Sequence, residues 1–164
     1  INGMEQKDGK KYRADKVSHV ADASESSLTL NLEKAYTDAA HVDSWKRTIT
    51  LDREYDWVEV TEQYKLDSLE IEKDRLNGQV FDNQIILMAY GRPVVQKAGR
   101  ILLQNGAVRL EYDAQYLSAS VEKVQMTDGI MKTQWKDNVY RIILRLNDNY
   151  PMARVKYRFV EAKK

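Results

Sequence analysis

The sequence predicts an all-β protein, an antiparallel β-sandwich of roughly ten to twelve strands. Three observations lead to this prediction. Short apolar or alternating segments recur about every 8 to 12 residues, with turn residues between them. No stretch keeps the 3.6-residue periodicity of a long amphipathic helix. Residues 45–64 have the pattern of two long strands joined by a tight turn. Together these features favour strand pairing along most of the chain.

Residues 45–64 are predicted to form a hairpin with its loop at Arg53-Glu54-Tyr55-Asp56. Placing Asp52 opposite Trp57 brings apolar against apolar, aromatic against aromatic and acid against base on one face. A slip of one residue would mix core side chains with charged ones. The predicted pairs are Leu51 with Val58, Ile49 with Val60, Arg47 with Glu62, and Trp45 with Tyr64.

The chain before this hairpin divides into three segments. After the turn signals Asn2-Gly3 and Asp8-Gly9, residues 12–23 alternate imperfectly and are predicted to be a strand with a bulge. Residues 28–32 alternate leucine with polar residues and predict a short strand. Residues 33–43 are rich in helix formers but too few for a stable independent helix, so we expect a short helical or irregular segment there.

The chain after the hairpin continues the β pattern. Residues 85–90 form a nearly continuous apolar run, which predicts a strand buried on both faces. Asn105-Gly106 predicts a tight hairpin turn that pairs Leu103 with Val108. Three further strands are predicted at residues 117–126, 139–146 and 154–160.

Composition limits the classes of function. The chain has 164 residues, a net charge of +1 and no cysteine. This length suits one domain, 1–164, that folds without metals or disulfides, and the absence of cysteine excludes thiol catalysis. The near-neutral charge argues against a dedicated nucleic-acid binder, and no apolar run is long enough to suggest a membrane span. Because the chain opens Ile1-Asn2-Gly3 without a signal pattern, we expect it to be part of a longer protein.

The last two predicted strands suggest a basic ribbon. If Leu146 lies opposite Ala153, the strands form a hairpin that carries its cations on one face. Such a face would need an anionic polysaccharide or a partner's acidic surface, unless Glu111 or Glu122 on an adjacent strand neutralises it. The cations of this ribbon are Arg141, Arg145, Arg154, Lys156 and Arg158.

Other residues that could carry chemistry have structural alternatives. His19 and His41 are the only histidines, and neither has the companion ligands of a metal site, so structural or solvated roles are expected. Arg47 is either one half of a buried ion pair with Glu62 or a substrate ligand. Tyr36 lies in a loop, where binding sites concentrate.

Two tryptophans also have two interpretations. Trp57 and Trp135 could form a sugar platform or could serve ordinary packing.

Several short motifs resemble the β-sandwich portion of heparinase II/III-like polysaccharide lyases. They are Asn2-Gly3 with Gln6 and Gly9, Leu32-Glu33-Lys34-Ala35-Tyr36, Trp45-Lys46-Arg47 leading into Leu51-Asp52-Arg53, Val58-Glu59-Val60, and Trp135 ahead of Tyr140-Arg141-Ile142. The likeness runs over most of the chain.

The resemblance implies a domain that follows a helical (α/α) toroid in a secreted or periplasmic enzyme. Such enzymes cleave uronic-acid-containing chains by β-elimination, and the main catalytic residues come from the toroid and from a segment that would lie before Ile1. No catalytic residue, cofactor or metal is therefore expected here. Substrate-binding candidates are Tyr36, Asn2, Gln6 and Arg47. Glu62 stands where family members usually carry aspartate.

Two alternatives remain at this point. One is a stand-alone carbohydrate-binding module for anionic glycans that uses the basic ribbon. The other is a non-catalytic structural sandwich. In all three cases neither nucleic acid nor a membrane is expected as a partner.

Overall fold

Strands dominate the computed structural model, which describes residues 1–78, 82–148 and 150–162. The described residues contain eleven strands in two antiparallel sheets and two short helices, so the predicted all-β sandwich class is confirmed. The strands are β1 (Asp15–Ala21), β2 (Glu25–Asn31), β3 (Val42–Asp52), β4 (Trp57–Leu66), β5 (Gln84–Ala89), β6 (Val94–Lys97), β7 (Arg100–Leu103), β8 (Val108–Tyr112), β9 (Leu117–Gln125), β10 (Asn138–Leu146) and β11 (Met152–Glu161). The helices are α1 (Ser68–Leu76) and α2 (Gly129–Trp135).

The larger sheet has the strand order β1-β2-β3-β4-β11-β8-β7-β6, and the smaller sheet has the order β5-β10-β9. The described chain divides into two compact units. The first unit comprises Ile1–Asn83 and Asp148–Tyr157, and the second comprises Gln84–Asn147 and Arg158–Lys164.

The first unit is built on the β1 to β4 meander. Every predicted pair of the β3–β4 hairpin is present, from Asp52 opposite Trp57 to Trp45 opposite Tyr64. A register shift in β1 between Asp15 and Ser18 is the bulge that its imperfect alternation predicted. The core of this unit includes Trp45, Val60, Tyr64, Leu66, Val155 and Tyr157.

Residues 33–43 contain two short 3-10 turns, Glu33–Ala35 and Asp38–Ala40, as the expected helical or irregular segment. Each turn is too short to be stable alone. Backbone hydrogen bonds fix the first turn, because Leu32 N donates to Trp45 O at 2.8 Å. The loop that carries Tyr36 is therefore hydrogen-bonded to the first half of β3.

The second unit contains β5 to β10 and its own buried residues. Leu103 lies opposite Val108 as predicted, although the connection is a 3-10 turn at Gln104–Gly106. Fully buried side chains of this unit are Ile101, Leu110, Leu117, Ile142 and Leu144.

The predicted hairpin between the last two strands is wrong. β10 lies between β5 and β9 in the smaller sheet, whereas β11 lies between β4 and β8 in the larger one. Both hydrogen-bonding edges of β10 are thus occupied by other strands. The prediction rested on alternating apolar residues, a pattern that many antiparallel partners satisfy equally well. The five cations therefore do not lie on one two-stranded ribbon.

Two further expectations about local structure were also wrong. β5 is an edge strand with Ile86 and Met88 exposed, so it is not buried on both faces. The two helices were not predicted, because neither has a strong apolar stripe and each is defined by its N-cap. Asp67 accepts from Leu69 N and Glu70 N, and Asp128 accepts from Met131 N. No helix among the described residues is long and apolar enough to cross a membrane.

Candidate functional site

A buried carboxylate organises the candidate site in the first unit. The side chain of Glu62 has no solvent exposure, and its Oε1 accepts a hydrogen bond from Arg47 Nε at 2.7 Å. Its Oε2 accepts from Trp45 Nε1, also at 2.7 Å, and Tyr157 OH donates to Oε1 at 3.4 Å. Three donors thus replace the water that the carboxylate loses on burial.

The β3–β4 register explains why these groups meet. Arg47 lies directly opposite Glu62, and Trp45 lies two residues before Arg47 on the same face of β3. Tyr157 belongs to β11, the strand next to β4 in the sheet. The sequence predicted that Arg47 lies opposite Glu62, and an ion pair between them was one of the two roles considered for Arg47. It did not predict that Trp45 and Tyr157 also donate hydrogen bonds to Glu62.

Tyr36 covers this buried layer. Its ring stacks on Trp45 with a centroid separation of 6.0 Å and an interplanar angle of 17°, and Trp45 in turn packs against Tyr64 at 5.2 Å. Trp45 is only 3% exposed as a result, whereas Tyr36 stays half-buried. Tyr36 is therefore the aromatic residue of this stack that solvent can reach while Trp45 lies beneath it.

The N-terminal segment completes the site. Lys7 N donates to Ala35 O at 3.0 Å, which holds the segment along the Tyr36 loop. The exposed side chain of Gln6 lies near enough to Tyr36 to lower the pKa of its hydroxyl. Gln6, Tyr36, Trp45, Arg47 and Glu62 together form what we call the Tyr36 cluster.

Asn2 has a different position from the other three substrate-binding candidates. Its side chain is 1% exposed, and its Nδ2 donates to Ala40 O at 2.6 Å. Its backbone N–H donates to Asn83 Oδ1 at 2.9 Å. These bonds tie the N-terminal segment to the end of the loop that carries Tyr36, so Asn2 supports the site from within.

The protonation state of Tyr36 follows from its surroundings. Burial raises the pKa of Tyr36 above its usual 10, and Glu62 adds to this, while Gln6 and Arg47 act in the opposite direction. Tyr36 is therefore a neutral hydroxyl at physiological pH. It can donate a hydrogen bond or a proton, but it is a poor base.

The exposed groups of the cluster suit an anionic ligand that also carries hydroxyls. Arg47 keeps 29% of its side chain exposed, and the bond to Glu62 uses only its Nε, so a guanidinium with further donors lies at the surface of the cluster. Tyr36 and Gln6 add a hydroxyl and an amide. Among the described residues no group of three or more histidine, aspartate or glutamate side chains could hold a metal ion.

Three of the five cations predicted to bind glycans form ion pairs with neighbouring carboxylates. Arg141 contacts Glu122, with Nε at 3.0 Å and Nη2 at 2.5 Å from Oε2. Arg158 Nε lies 3.0 Å from Glu111 Oε2. These two contacts are the neutralisation that the sequence offered as the alternative to a binding face.

The other three cations are exposed, one on β10 and two on β11. Lys156 Nζ lies 2.5 Å from Glu59 Oε1, a third pairing with an acid. Arg145 lies on β10 and Arg154 on β11.

The remaining candidates lie apart from the Tyr36 cluster. His41 Nε2 lies 2.8 Å from Asp74 Oδ2, where it links the loop to α1, and His19 is exposed on β1. Trp57 is half-buried at the start of β4. Trp135 is 43% exposed at the end of α2 in the second unit.

Comparison with known proteins supports the fold. No protein-family profile matches this sequence, and no curated protein sequence matches it. A structural match is the crystal structure of a heparan sulfate lyase HepC mutant from Pedobacter heparinus, with a TM-score of 0.60 and 8% sequence identity. The match covers 93% of this chain but only 22% of the lyase chain. At this identity the likeness establishes a shared β fold.

The ion pair between Arg47 and Glu62 should contribute strongly to the stability of the fold. We expect Arg47→Met and Glu62→Gln each to lower the free energy of unfolding by about 3–5 kcal/mol. Arg47→Met leaves the buried carboxylate without its cation, and Glu62→Gln turns an amide NH2 towards one of the donors that the carboxylate accepted. The double variant should lose less than the sum of the two. Urea unfolding measures all three values. Lys65→Met with Asp43→Asn is the matched control, an exposed cross-strand pair expected to show little coupling. Additive losses at Arg47 and Glu62 would contradict the assignment.

The hydroxyl group of Tyr64 should contribute nothing to stability at neutral pH. Its OH is buried and has no hydrogen-bond partner among the described residues, and burial raises the pKa of Tyr64 from 10 to about 12. Stability contributed by the neutral phenol is full below pH 10 and declines as pH rises towards about 12, because the unfolded tyrosine ionises first. Tyr64→Phe should therefore leave stability unchanged or higher at pH 7 and should flatten its loss above pH 10.

The control for this prediction is Tyr157→Phe, which removes a donor to Glu62 and should lower stability at neutral pH. Urea unfolding at several pH values measures both variants. If Tyr64→Phe were as destabilising at neutral pH as Tyr157→Phe, the Tyr64 hydroxyl would have a partner and the interpretation would be wrong.

Proposed function

We propose that this chain is a β-sandwich domain, 1–164, of a heparinase II/III-like polysaccharide lyase that cleaves uronic-acid-containing polysaccharide by β-elimination. The whole enzyme would be periplasmic or secreted and would carry a helical toroid before this domain. The fold likeness to a heparan sulfate lyase over 93% of the chain supports this proposal. So do the motifs that resemble the family.

One observation carries the proposal to particular residues. Gln6, Tyr36 and Arg47 are far apart in the sequence, and the family resemblance makes them substrate-binding candidates. All three belong to the Tyr36 cluster. Tyr36 stacks on Trp45, whose indole donates to the same Glu62 carboxylate as Arg47, and Gln6 lies near enough to Tyr36 to lower its pKa. Such convergence is expected for one wall of a binding cleft.

In β-elimination, Arg47, Tyr36 and Gln6 would bind the substrate and the catalytic base would lie elsewhere. The reaction requires neutralisation of the uronate carboxylate, a base for the C5 proton and an acid for the leaving oxygen. Arg47, Tyr36 and Gln6 would bind the carboxylate and adjacent hydroxyls. Because Tyr36 remains protonated, the base would come from the helical toroid. The isolated chain would bind substrate fragments and would be inactive.

A stand-alone carbohydrate-binding module that uses the five cations is the second hypothesis. It receives less support, since Arg141, Lys156 and Arg158 already contact carboxylates. The five cations also lie on β10 and β11, which belong to different sheets, so they do not form the single basic ribbon that this hypothesis requires.

Conservative changes in the cluster test the proposal. We expect Tyr36→Phe and Gln6→Ala each to raise the Kd for heparan sulfate or alginate hexasaccharides roughly five- to tenfold, about one hydrogen bond's worth, while stability stays near that of the wild type. Tyr36→Phe keeps the ring on Trp45. Isothermal titration calorimetry measures the affinities.

Tyr55→Phe serves as the matched control, because Tyr55 is 64% exposed in the β3–β4 turn of the same unit. Its Kd should equal that of the wild type. Wild-type affinity in Tyr36→Phe and Gln6→Ala would remove the proposal, and so would release of unsaturated uronate by the isolated chain.

A further inference from the structure

Two exposed aromatic side chains of the second unit lie side by side outside the Tyr36 cluster. Tyr90 directly follows β5 and is 49% exposed, and Trp135 ends α2 and is 43% exposed. Their ring centroids are 6.5 Å apart and their planes are inclined by 52°. Single exposed tyrosines such as Tyr55 are ordinary, but two exposed aromatic rings in contact with each other form an apolar surface that a ligand can reach.

Lys136 adds a cation and an unusual backbone to this pair. Its Nζ lies 5.9 Å from the centre of the Tyr90 ring, within the range of a cation–π contact. Its backbone has φ 58° and ψ −145°, close to a region that is essentially restricted to glycine. A lysine in this conformation costs free energy relative to glycine. Strain of this kind concentrates at binding sites, where the side chain matters more than the stability lost.

The neighbouring strands extend the same surface. Met88, two residues before Tyr90, is 58% exposed and lies opposite Arg141 on β10. Both Arg141 and its partner Glu122 keep nearly half of their side chains exposed. The surface next to the two rings thus carries an exposed methionine and an exposed ion pair.

We propose that Tyr90, Trp135 and Lys136, here called the aromatic platform, form a second glycan-binding site that takes an anionic polysaccharide. The rings would stack on the C–H faces of pyranose units. The Lys136 ammonium would contact a uronate carboxylate or a sulfate. The choice of an anionic glycan rests on the proposed function, but the platform uses none of the residues of the Tyr36 cluster.

The charge on Lys136 distinguishes this ligand from a neutral one. A neutral glycan would offer the ammonium only uncharged oxygen acceptors, whereas a uronate or a sulfate would form a charge-assisted hydrogen bond, which is roughly twice as strong. A lysine beside the two aromatic rings therefore favours an anionic ligand.

Affinity electrophoresis through heparin or alginate tests the platform, with neutral dextran as the comparison polymer. Trp135→Ala should raise the Kd for the anionic polymer roughly tenfold. Lys136→Gly should weaken binding while raising the melting temperature, since glycine relieves the strain. Lys16→Gly is the matched control, because Lys16 is also an exposed lysine with positive φ, at 46°. It should bind like the wild type.

The outcomes separate this inference from the proposed function. Loss of binding in Trp135→Ala and Lys136→Gly, with Tyr36→Phe unaffected, would support the platform and remove the Tyr36 proposal. Wild-type retention of both platform variants would overturn the platform, whatever Tyr36→Phe does. Equal losses in Lys136→Gly and Lys16→Gly, equal losses on dextran, or no retention of the wild-type chain would also overturn it.

Discussion

The first unit depends on one electrostatic constraint, a glutamate carboxylate with no access to water. An isolated buried charge would cost far more free energy than a domain of this size can spare. Glu62 is tolerated because Arg47, Trp45 and Tyr157 all donate to it. This requirement limits β3 and β4 to one register, since a shift of one residue would place Arg47 on the opposite face.

The same constraint determines what can lie above the sheet. Trp45 is fixed by its hydrogen bond to Glu62 and offers a flat face on which Tyr36 stacks. The Tyr36 loop and the N-terminal segment then add a hydroxyl and the Gln6 amide beside Arg47. A buried charge network thereby produces a rigid surface with polar groups at set positions. Preorganised donors of this kind suit binding of a charged sugar.

Local pattern was sufficient to predict some of these features and not others. The β3–β4 register followed from like-with-like pairing across a short turn, where few alternatives exist. The pairing of β10 with β11 failed, because both strands alternate and sequence proximity does not decide which edge is available. The helices α1 and α2 were missed, since caps rather than apolar periodicity define them.

The candidate site shows the same division. Arg47 and Glu62 could be paired from the sequence, and the spacing of Trp45 from Arg47 already put the indole on the same face. Tyr157 could not be found, because its position depends on which strand follows β4 in the sheet. Only one residue of the aromatic platform could be predicted from the sequence. The sequence suggests Trp135 as a possible sugar platform but with Trp57 as its companion, whereas the structure places Tyr90 beside it.

Nuclear magnetic resonance of the Arg47 Nε–H group tests most directly whether the buried Glu62 carboxylate positions Arg47 to bind a uronate carboxylate. Because Glu62 accepts this hydrogen, we expect slow exchange with solvent and a saturable shift when a heparan sulfate or alginate hexasaccharide is added. Arg75, which pairs with Glu72 on the exposed face of α1, provides the internal reference and should exchange fast without shifting. Exchange at Arg47 as fast as at Arg75, or an Arg47 signal unchanged at saturating hexasaccharide, would contradict the account.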